Sequence, residues 1–554
     1  MSIQTDNTWS NYGPLDAYGN DGAPGVAPAR RQIGFRLVKV LTALASLTIL
    51  VLVLLDANHP GGIDPLPFIS INQKFLVVVA FPAAFILAFA NGANDCANSV
   101  GTTVGAGAMT VRQALIADCI FEAAGAITMG PSVATTISSG EIHSSKWEQA
   151  PDYFALLMLA VLVGSGSTTL LATMYGLPIS ATHGVISGVI ACALVSETTS
   201  ALTGGNTVEW WPGFGMTVIG WVASPVVGML AGMAVSLAVH RLVLGAADPP
   251  KAARQRQPVL LGGTIAISAL FLLLKGPEQL SDLVAGRAWL AAIIAVLTGA
   301  AVAASVVAYK HVMVGGLGGL ARKSQFSSGS TSKTYEDDVP VLGSFGSGLH
   351  ADEYSNGSSS GTDHSAFDDV QQPFVPLLIA AGLTVAFAHG GNDIGNAMGP
   401  LSTIMYIKNK DKVPGDDDDD DDDDGNDASF YTALVVTVAA FLVGILALGS
   451  RTIATVGSSI TELTPSRSFA TQTGAAVAVL SSSAMNLPVS TSHCLVGAVV
   501  GVNFMERWCH VEGAKPLDLQ VLKKIVVGWV VTIPLAATVS VLVLVLFQRS
   551  FLKH

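Results

Sequence analysis

Residues 89–98 read FANGANDCAN and residues 387–396 read FAHGGNDIGN, and this repeated polar stretch decides the fold. A second pair of matches follows in the same order, because residues 177–183 read LPISATH and residues 487–493 read LPVSTSH. The distance along the chain from the first copy to the second is nearly the same for both pairs. Two ordered matches within one chain indicate an internal duplication, and interrupted segments at corresponding places in two halves are typical of membrane transporters.

The composition places this duplicated chain in a lipid bilayer. Its 554 residues are 50% hydrophobic and 12% charged, whereas a soluble domain carries about 25% charged residues. The 57 glycines suit membrane helices, which approach each other closely through small residues. The formal net charge is -12, but an unbroken aspartate run at 416–424 accounts for most of it. The five cysteines lack the spacing of a disulfide framework or a zinc site.

Apolar windows long enough to cross a bilayer, which takes about 20 residues, recur along the chain. The predicted windows are 36–55, 72–92, 111–130, 153–176, 213–243, 258–275, 286–309, 373–391, 429–450, 468–485 and 521–548. The apolar stretches 178–196 and 487–505 each follow a helix through a Leu-Pro pair without a polar loop, so we interpret them as broken or re-entrant helices. The sequence thus predicts an all-α polytopic membrane protein, an inverted-repeat transporter with about twelve membrane-embedded helices.

Composition shifts along the chain predict its domain organisation. A polar N-terminal tail covers residues 1–32, and the first membrane half with repeat 1 covers 33–314. A cleavable signal at the first apolar stretch is the less favoured interpretation, because many spans follow it. The Ser- and Gly-rich residues 315–372 predict a disordered hydrophilic loop. The second half with repeat 2 covers 373–554 and includes an Asp-rich insertion at 411–427, which is either a solvated loop or a weak cation sink.

Each Asn-Asp motif places a carboxylate, Asp95 or Asp393, at the end of an apolar window. Asparagines lie beside each carboxylate at a spacing of four, which puts them on one helical face: Asn94 with Asn98, and Asn392 with Asn396. Carboxylate and amide oxygens suit a small hard cation, and an intramembrane carboxylate is costly unless paired or functional. The alternative is a helix cap at the membrane interface. We predict cation binding at Asp95, Asn98, Asp393 and Asn396, with sodium at the two aspartates.

Each Leu-Pro motif lies where a helix should begin, because proline favours the first helical turn and Ser or Thr satisfies the free N–H groups. The start of such a half-helix binds anions through its N–H groups and its dipole, and phosphate fits this arrangement. The alternative is a pair of self-capped buried helices. The predicted phosphate-binding residues are Asn94, Ser180, Thr182, Asn392, Ser490, Thr491 and Ser492.

Four more polar residues lie in apolar segments. We expect His183 and His493 to be buried hydrogen-bond partners rather than ligands, although a pH-sensing role is open. Asp118 and Glu122 are four residues apart and share one helical face. Glu122 is counted with the cation-binding residues, and a paired structural carboxylate is the alternative.

Taken together, these motifs resemble the inorganic phosphate transporter (PiT) family of sodium- or proton-coupled phosphate symporters. The resemblance is carried by residues 92–95, 104–110, 121–122, 177–183, 391–393, 463–467 and 487–493. It implies an inverted-repeat fold with both Asn-Asp motifs at a central cation and phosphate site, a cytoplasmic central loop and a homodimer. The sequence departs from the family at Gln472, where a glutamate is frequent, and at Gly184, where a cysteine is common. The loss of charge at Gln472 leaves the coupling ion and its stoichiometry open.

The expected function is symport of inorganic phosphate driven by a cation gradient, sodium first and proton second, through alternating access. The expected location is the plasma membrane, with the lipid bilayer, phosphate and the co-transported cation as partners, no nucleic acid and no cofactor beyond these ions. An enzyme is not expected, because no nucleophile-base pair or metal-ligand cluster accompanies the membrane carboxylates. The alternatives are a transporter of another oxyanion such as sulfate, an anion channel or a nutrient receptor on the same scaffold.

Overall fold

The computed structural model shows a chain that is helical almost throughout. The residues it describes are 73–148, 150–198, 207–275, 281, 283–284, 286–325, 368–410, 413–414, 424–456, 463–485, 487–511 and 516–551. Within these ranges, β-structure is limited to one bridge between Ile142 and Val208. Nine helices of the described chain are long and apolar enough to cross a membrane. The all-α membrane fold is confirmed, whereas the count of about twelve embedded helices is not.

Five α-helices of the first half lie within the described residues. They are α1 (Gln73–Gly105), α2 (Val111–Thr135), α3 (Pro151–Met174), α4 (Ala181–Thr198) and α5 (Gly215–Val239). Short π turns follow α2 at Thr136–Gly140 and flank α5 at Trp210–Phe214 and His240–Leu244. The turn between α1 and α2 ends at Thr110, whose side chain accepts from the N–H of Gln113 while the Gln113 side chain accepts from the N–H of Thr110. This capping box fixes where α2 begins.

In the described part of the chain, two α-helices connect the halves and six build the second half. The connectors are α6 (Pro249–Lys275) and α7 (Ala288–Gln325). The second half consists of α8 (Val375–Asp393), α9 (Gly395–Lys410), α10 (Asp424–Val456), α11 (Pro465–Ala484), α12 (Thr491–Trp508) and α13 (Leu519–Phe551). Helices α8 and α9 together correspond to α1, since the second Asn-Asp motif lies at their junction.

The first Asn-Asp motif lies inside a helix and not at its end. The predicted window stops at residue 92, but α1 continues to Gly105, so Asp95 is an interior residue. An interior residue cannot cap a helix, since only the terminal turns leave backbone groups free. The cap interpretation is therefore wrong for the first copy. In the second copy, Asp393 is the last residue of α8 and α9 begins at Gly395.

The predicted domain limits stay predictions. Helix α7 runs to Gln325, beyond residue 314 where the first half was predicted to end. The described chain resumes as helix at Asp368. The tail 1–32, the window 36–55, residues 326–367 and most of the insertion 411–427 lie outside the described residues.

The two halves exchange helices and do not fold side by side. Helix α1 packs against α10 of the second half, and α8 packs against α2 of the first half. In the same way, α5 packs against α12 and α13 packs against α4. Each contact between the halves thus recurs with the roles reversed, as expected for a duplicated transporter whose copies interlock about a pseudo-two-fold axis.

Glycines let these exchanged helices touch through their backbones. A Cβ on Gly125 of α2 would overlap the carbonyl oxygen of Phe387 on α8, and a Cβ on Gly390 of α8 would overlap the carbonyl oxygen of Glu122 on α2. Gly92 and Gly444 form the equivalent crossing of α1 and α10. Close approach through small residues is how membrane helices gain van der Waals contact, and it brings the side chains beside the crossing into reach of one another.

Candidate ion and substrate site

The twelve residues that the sequence singles out as ligands are all buried between the helices. They are Asn94, Asp95, Asn98, Glu122, Ser180, Thr182, Asn392, Asp393, Asn396, Ser490, Thr491 and Ser492. Polar groups withdrawn from water are strongly unfavourable unless they bond one another or a ligand, so the contacts they make indicate what the centre can do.

Side chains from the two halves form hydrogen bonds across the centre. The Asn98 Nδ2 donates to Thr491 Oγ1 at 3.4 Å, and the Asn396 Nδ2 donates to Thr182 Oγ1 at 3.2 Å. Each asparagine follows the Asn-Asp motif of one half, and each threonine lies in the first turn of a half-helix of the other half. The four motifs therefore meet at a single centre in the interior of the fold.

Asp95 and Asp393 face this common centre. One ligand atom from each carboxylate and one ring nitrogen of His389 lie within 4.8 Å of one another. The Asp95 Oδ1 accepts a hydrogen bond from Asn98 Nδ2 at 2.9 Å. The Asp393 Oδ1 accepts from Asn392 Nδ2 at 2.6 Å, and its Oδ2 accepts from Thr491 Oγ1 at 3.3 Å. Two carboxylates at this spacing offer hard oxygen ligands to a cation.

His389 bridges two carboxylates in the same cluster. Its Nδ1 lies 2.5 Å from Glu122 Oε1, and its Nε2 lies 2.6 Å from Asp393 Oδ2. Of these two contacts, the one with Glu122 has hydrogen-bond geometry, whereas Nε2 lies close to Asp393 without an aligned hydrogen bond. A protonated ring at this place would offset part of the negative charge of the centre. The close approach of α2 and α8 at Gly125 and Gly390 is what lets Glu122 reach the ring.

His389 is the one residue of the cluster that was not among the predicted ligands. It occupies the position that Asn91 holds in the first copy of the repeat. Its spacing of four from Asp393 puts both side chains on one helical face, which was the signal available in the sequence. Asn91 makes a different contact, because its Nδ2 donates to the backbone carbonyl of Asp393 at 3.1 Å.

The helix breaks before the half-helices are held by the first asparagine of each motif. The Asn94 Nδ2 donates to the carbonyl of Leu177 at 3.0 Å, and its Oδ1 accepts from the N–H of Ile179 at 3.3 Å. The Asn392 Nδ2 donates to the carbonyl of Val489 at 2.9 Å. These contacts fix the extended segments that lead into α4 and α12. Contact of Asn94 and Asn392 with phosphate stays a prediction.

The half-helices begin within the predicted motifs but after their prolines, because Pro178 and Pro488 lie in the extended segments and not in the first turn. Helix α4 begins at Ala181 and α12 begins at Thr491. The Ser180 Oγ accepts from the N–H of His183 at 3.3 Å, and the hydroxyls of Ser490 and Ser492 lie 3.0 Å apart. Because Thr182 and Thr491 both contact the central asparagines, the two N-terminal ends converge, and helix N-termini attract anions.

Several polar atoms of the cluster have no hydrogen-bond partner among the described residues. They include the oxygens Asn392 Oδ1, Asn396 Oδ1 and Glu122 Oε2, and the ring nitrogen His389 Nε2. Buried polar atoms of native proteins are nearly always satisfied. These oxygens are therefore available to a ligand, and as acceptors they suit a cation or a protonated group.

Gln472 ties α11 to the first Asn-Asp helix without adding charge. Its Nε2 donates to the carbonyl of Ser99 at 2.8 Å and to Thr102 Oγ1 at 2.6 Å. It also approaches the carbonyl of Asn98 at 3.3 Å. The amide thus keeps the two helices in register next to the cluster, while the charge that a glutamate would supply is absent here.

The histidines that end the Leu-Pro motifs pack against each other and against tryptophans. The ring centroids of His183 and His493 are 4.6 Å apart. His183 lies 4.1 Å from Trp221, and His493 lies 3.7 Å from Trp529. His183 was expected to be a buried hydrogen-bond partner. It is buried and packs against other rings, but neither of its ring nitrogens has a hydrogen-bond partner in the described chain.

Comparison with known proteins gives matches along most of the chain. The model of the phosphate transporter family matches residues 91–540. A putative phosphate permease of Haemophilus influenzae is 30% identical over 483 residues, which cover 87% of this chain and 99% of the relative. The inorganic phosphate transporter 2-1, chloroplastic, of Arabidopsis thaliana is 29% identical over 484 residues, covering 87% of this chain and 74% of the relative.

A solved structure of a sodium-dependent phosphate transporter is similar with a TM-score of 0.66 and 27% sequence identity, covering 86% of this chain and 99% of that structure. The family match takes in both Asn-Asp motifs, both half-helices and the buried cluster they form. This integral membrane protein belongs to the phosphate transporter family, whose members are transporters and not enzymes.

Proposed function

We propose that this chain is a secondary symporter that imports inorganic phosphate together with sodium by alternating access. The observation that carries the proposal is the convergence of two carboxylates, Asp95 and Asp393, with the N-terminal ends of α4 and α12. A centre that combines acidic side chains with anion-attracting helix ends is suited to bind a cation and an anion together.

Electrostatics gives the order of binding. Asp95, Asp393 and Glu122 bring three carboxylates to the centre, and His389 brings one imidazole. A phosphate dianion is repelled by such a centre, because charges interact strongly where water is excluded. Cations that bind first remove this repulsion and leave the helix N-termini to hold the phosphate. The predicted phosphate contacts are the hydroxyls of Ser180, Thr182, Ser490, Thr491 and Ser492.

Sodium is favoured over protons as the coupling ion. Carboxylate and amide oxygens, here Asp95, Asp393 and the free Oδ1 of Asn396, are the ligands that hard cations prefer. A solved structure that is similar over 86% of this chain is that of a sodium-dependent phosphate transporter. The Glu122–His389 contact offers protons a separate place to bind. Uptake measured with a sodium gradient and with a proton gradient therefore distinguishes the two ions.

The interlocked halves support alternating access. The centre lies between helices of opposite repeats, so a rocking motion of one set against the other can expose it to each side of the membrane in turn. The plasma membrane location and the homodimer remain predictions of the same proposal. Transport of sulfate, or channel and receptor roles, are the outcomes against which the proposal is tested.

Uptake into proteoliposomes tests the proposal directly. The purified protein is reconstituted, and the initial rate of radiolabelled phosphate uptake is measured with an inward sodium gradient, with an inward proton gradient, and with neither. We expect accumulation with sodium, and no competition from excess sulfate. Flux of equal size without any gradient would identify a channel, and loss of uptake in excess sulfate would identify a broader oxyanion transporter.

Charge-neutralising variants test the residues. Asp95→Asn and Asp393→Asn keep the shape of the side chain but remove the cation-binding charge, so each should abolish sodium-driven uptake. Glu148→Gln, at an exposed acid away from the cluster, is the matched control and should transport normally. Wild-type uptake in either aspartate variant would remove that residue from the cation site.

A further inference from the structure

A further buried carboxylate, Asp118, lies beside the cluster but belongs to none of its contacts. Asp118 is on α2, one turn before Glu122, and it is 0% exposed. Among the described residues, no lysine, arginine or histidine forms an ion pair with it. An ionised carboxylate without a counter-charge is strongly unfavourable inside a membrane protein, so such a group is neutralised by a bound proton or cation.

The hydroxyl of Ser99 distinguishes between these two possibilities. The Ser99 Oγ lies 2.6 Å from Asp118 Oδ1 and 2.9 Å from the carbonyl oxygen of Cys96. A serine hydroxyl carries one hydrogen, whereas a carbonyl oxygen and a carboxylate oxygen are both acceptors. With an ionised Asp118, only one of the two contacts can have the hydrogen aligned between its oxygens. Both become full hydrogen bonds when Asp118 donates to Ser99 and Ser99 donates to Cys96.

We propose that Asp118 is a proton-binding site, whose carboxyl group holds a proton in this conformation and donates it to the hydroxyl of Ser99. When the proton leaves to water, the Ser99 hydroxyl turns from the Cys96 carbonyl to the carboxylate. The second oxygen, Oδ2, has no partner in the described part of the chain, which a neutral carboxyl tolerates better than an anion does.

The titratable groups around Asp118 provide no free positive charge. The titratable groups that act on Asp118 or lie beside it are Glu122 and Cys119 on α2, Cys96 on α1 and His389 on α8. The histidine is already engaged with Glu122 and Asp393. Helix α10 contacts Cys96 through Thr452 and Cys119 through the carbonyl of Leu442, and neither group titrates. Its charged residue in this region, Arg451, has an exposed side chain. Helix α9 contacts the C-terminal end of α2, which is distant from Asp118, because Gly395 and Gly399 lie beside Val133 and Ala134.

The proton site is connected to the candidate transport centre through α1. Ser99 directly follows Asn98, whose amide binds Asp95. The backbone carbonyl of Ser99 accepts from Gln472. A change in the hydrogen bonds of Ser99 therefore acts on the helix turn that positions Asn98, and this links the proton on Asp118 to the cation centre without any direct contact between the two carboxylates.

Infrared difference spectroscopy tests the proposal without relying on transport. Protonated carboxyl groups give a carbonyl-stretch band that ionised carboxylates lack. Spectra of the purified wild-type protein and of Asp118→Asn are recorded at neutral pH, in water and in deuterium oxide. We expect one carboxyl band in the wild type that is missing from the variant and that shifts on deuteration. A difference spectrum that contains only carboxylate bands would show that Asp118 is ionised and would overturn the proposal.

A second variant keeps the test decisive if Asp118→Asn does not fold. Ser99→Ala removes the acceptor of the proposed hydrogen bond but leaves the carboxyl group in place. We expect the same carboxyl band to persist at a higher frequency, because the carboxyl is then less strongly hydrogen-bonded. An unshifted band in Ser99→Ala, or its complete loss, contradicts the hydrogen-bond arrangement. Phosphate uptake does not enter either measurement, so a failure of the proposed symport leaves these outcomes readable.

Discussion

His389 is the residue on which the charge balance of the candidate centre depends. It contacts Glu122 and Asp393 through its two ring nitrogens, and all three side chains are buried. In His389→Asn, which installs the residue of the first repeat copy, both carboxylates lose this partner. Leaving a buried charge unpaired costs about 2–5 kcal/mol, so we expect sodium-driven phosphate uptake to fall by at least about tenfold.

The control for this prediction is His143→Asn. His143 contacts Glu209 at 2.9 Å, but both side chains are partly exposed to solvent, so uptake should stay near the wild-type rate. Wild-type initial rates in His389→Asn would mean that the bridge between the carboxylates takes no part in coupling.

At this scale the sequence predicted the carboxylates and the hydroxyls but not how they pair. The spacing of Asp95 and Asn98 on one helix was readable from the motif, and their hydrogen bond follows from it. The contacts of Asn98 with Thr491 and of Asn396 with Thr182 join residues from different halves. Such pairs depend on tertiary packing, which local periodicity does not contain. His389 was missed because the first copy carries Asn91 at this position, so the repeat does not mark the histidine as part of the motif.

At the scale of elements, a buried ion pair fastens α11 to α12. The Arg467 Nε lies 2.8 Å and 2.9 Å from the two carboxylate oxygens of Glu506, and both side chains are more than nine-tenths buried. Glu506→Gln leaves the guanidinium without a counter-charge, so we expect the free energy of unfolding to fall by about 3–5 kcal/mol. Thermal unfolding in detergent measures the change.

The matched control for the ion pair is Asp369→Asn. It breaks the contact of Asp369 with Arg254, whose side chains are 56% and 65% exposed, and an exposed pair is worth at most about 1 kcal/mol. Replacing both partners, Arg467→Met with Glu506→Leu, should recover part of the lost stability. Equal melting temperatures for Glu506→Gln and Asp369→Asn would contradict the role assigned to the buried pair.

The turn after α2 carries a pH-dependent element. Burial raises the pKa of Glu141 to about 7, while a hydrogen bond donated by Thr217 Oγ1 at 2.6 Å acts in the opposite direction. The pKa in the folded protein is above that of the unfolded chain, so the folded form binds the proton more tightly. The stability from this group is complete below a pH of about 4.5 and is lost as the pH rises through about 7.

We therefore expect the melting temperature of the wild type to fall between about pH 5 and about pH 8, with a contribution from Glu141 of at most about 3 kcal/mol. Glu141→Gln removes the titration and should flatten this part of the profile. Melting curves recorded across the window measure the effect. Profiles of the same slope in both proteins would show that Glu141 does not titrate there.

At the scale of the whole molecule, the exchanged packing rests on backbone contact. Gly125→Ala puts a Cβ onto the carbonyl oxygen of Phe387, and overpacking of this kind costs about 1–3 kcal/mol. We expect a lower melting temperature and reduced uptake, because the crossing also positions Glu122. Gly263→Ala is the control, since a Cβ there meets nothing within 4 Å. Equal melting temperatures and uptake rates in the two variants would show that the α2–α8 crossing can widen without loss of stability or transport.

The duplication allowed the fold class and the place of the centre to be predicted, but not the exchange of helices. Every span that faces lipid is apolar, so the pattern of apolar residues does not say which helices are neighbours. Glycines mark the crossings, yet only some of the 57 glycines lie at one. The length of α1 was underestimated for a related reason, since polar Asn94, Asp95 and Asn98 continue a helix that hydropathy alone ends at residue 92.

The crossed bonds of Asn98 to Thr491 and of Asn396 to Thr182 restrict how this protein can evolve. If one half were replaced by that of a distant relative, each asparagine would be paired with a threonine from a different protein. The geometry of both hydrogen bonds would then no longer be matched. Chimeras divided between the repeats should therefore assemble only when the asparagine and the threonine of each pair come from the same parent protein. Substitutions at these four positions are expected to be inherited in pairs that lie far apart in the gene.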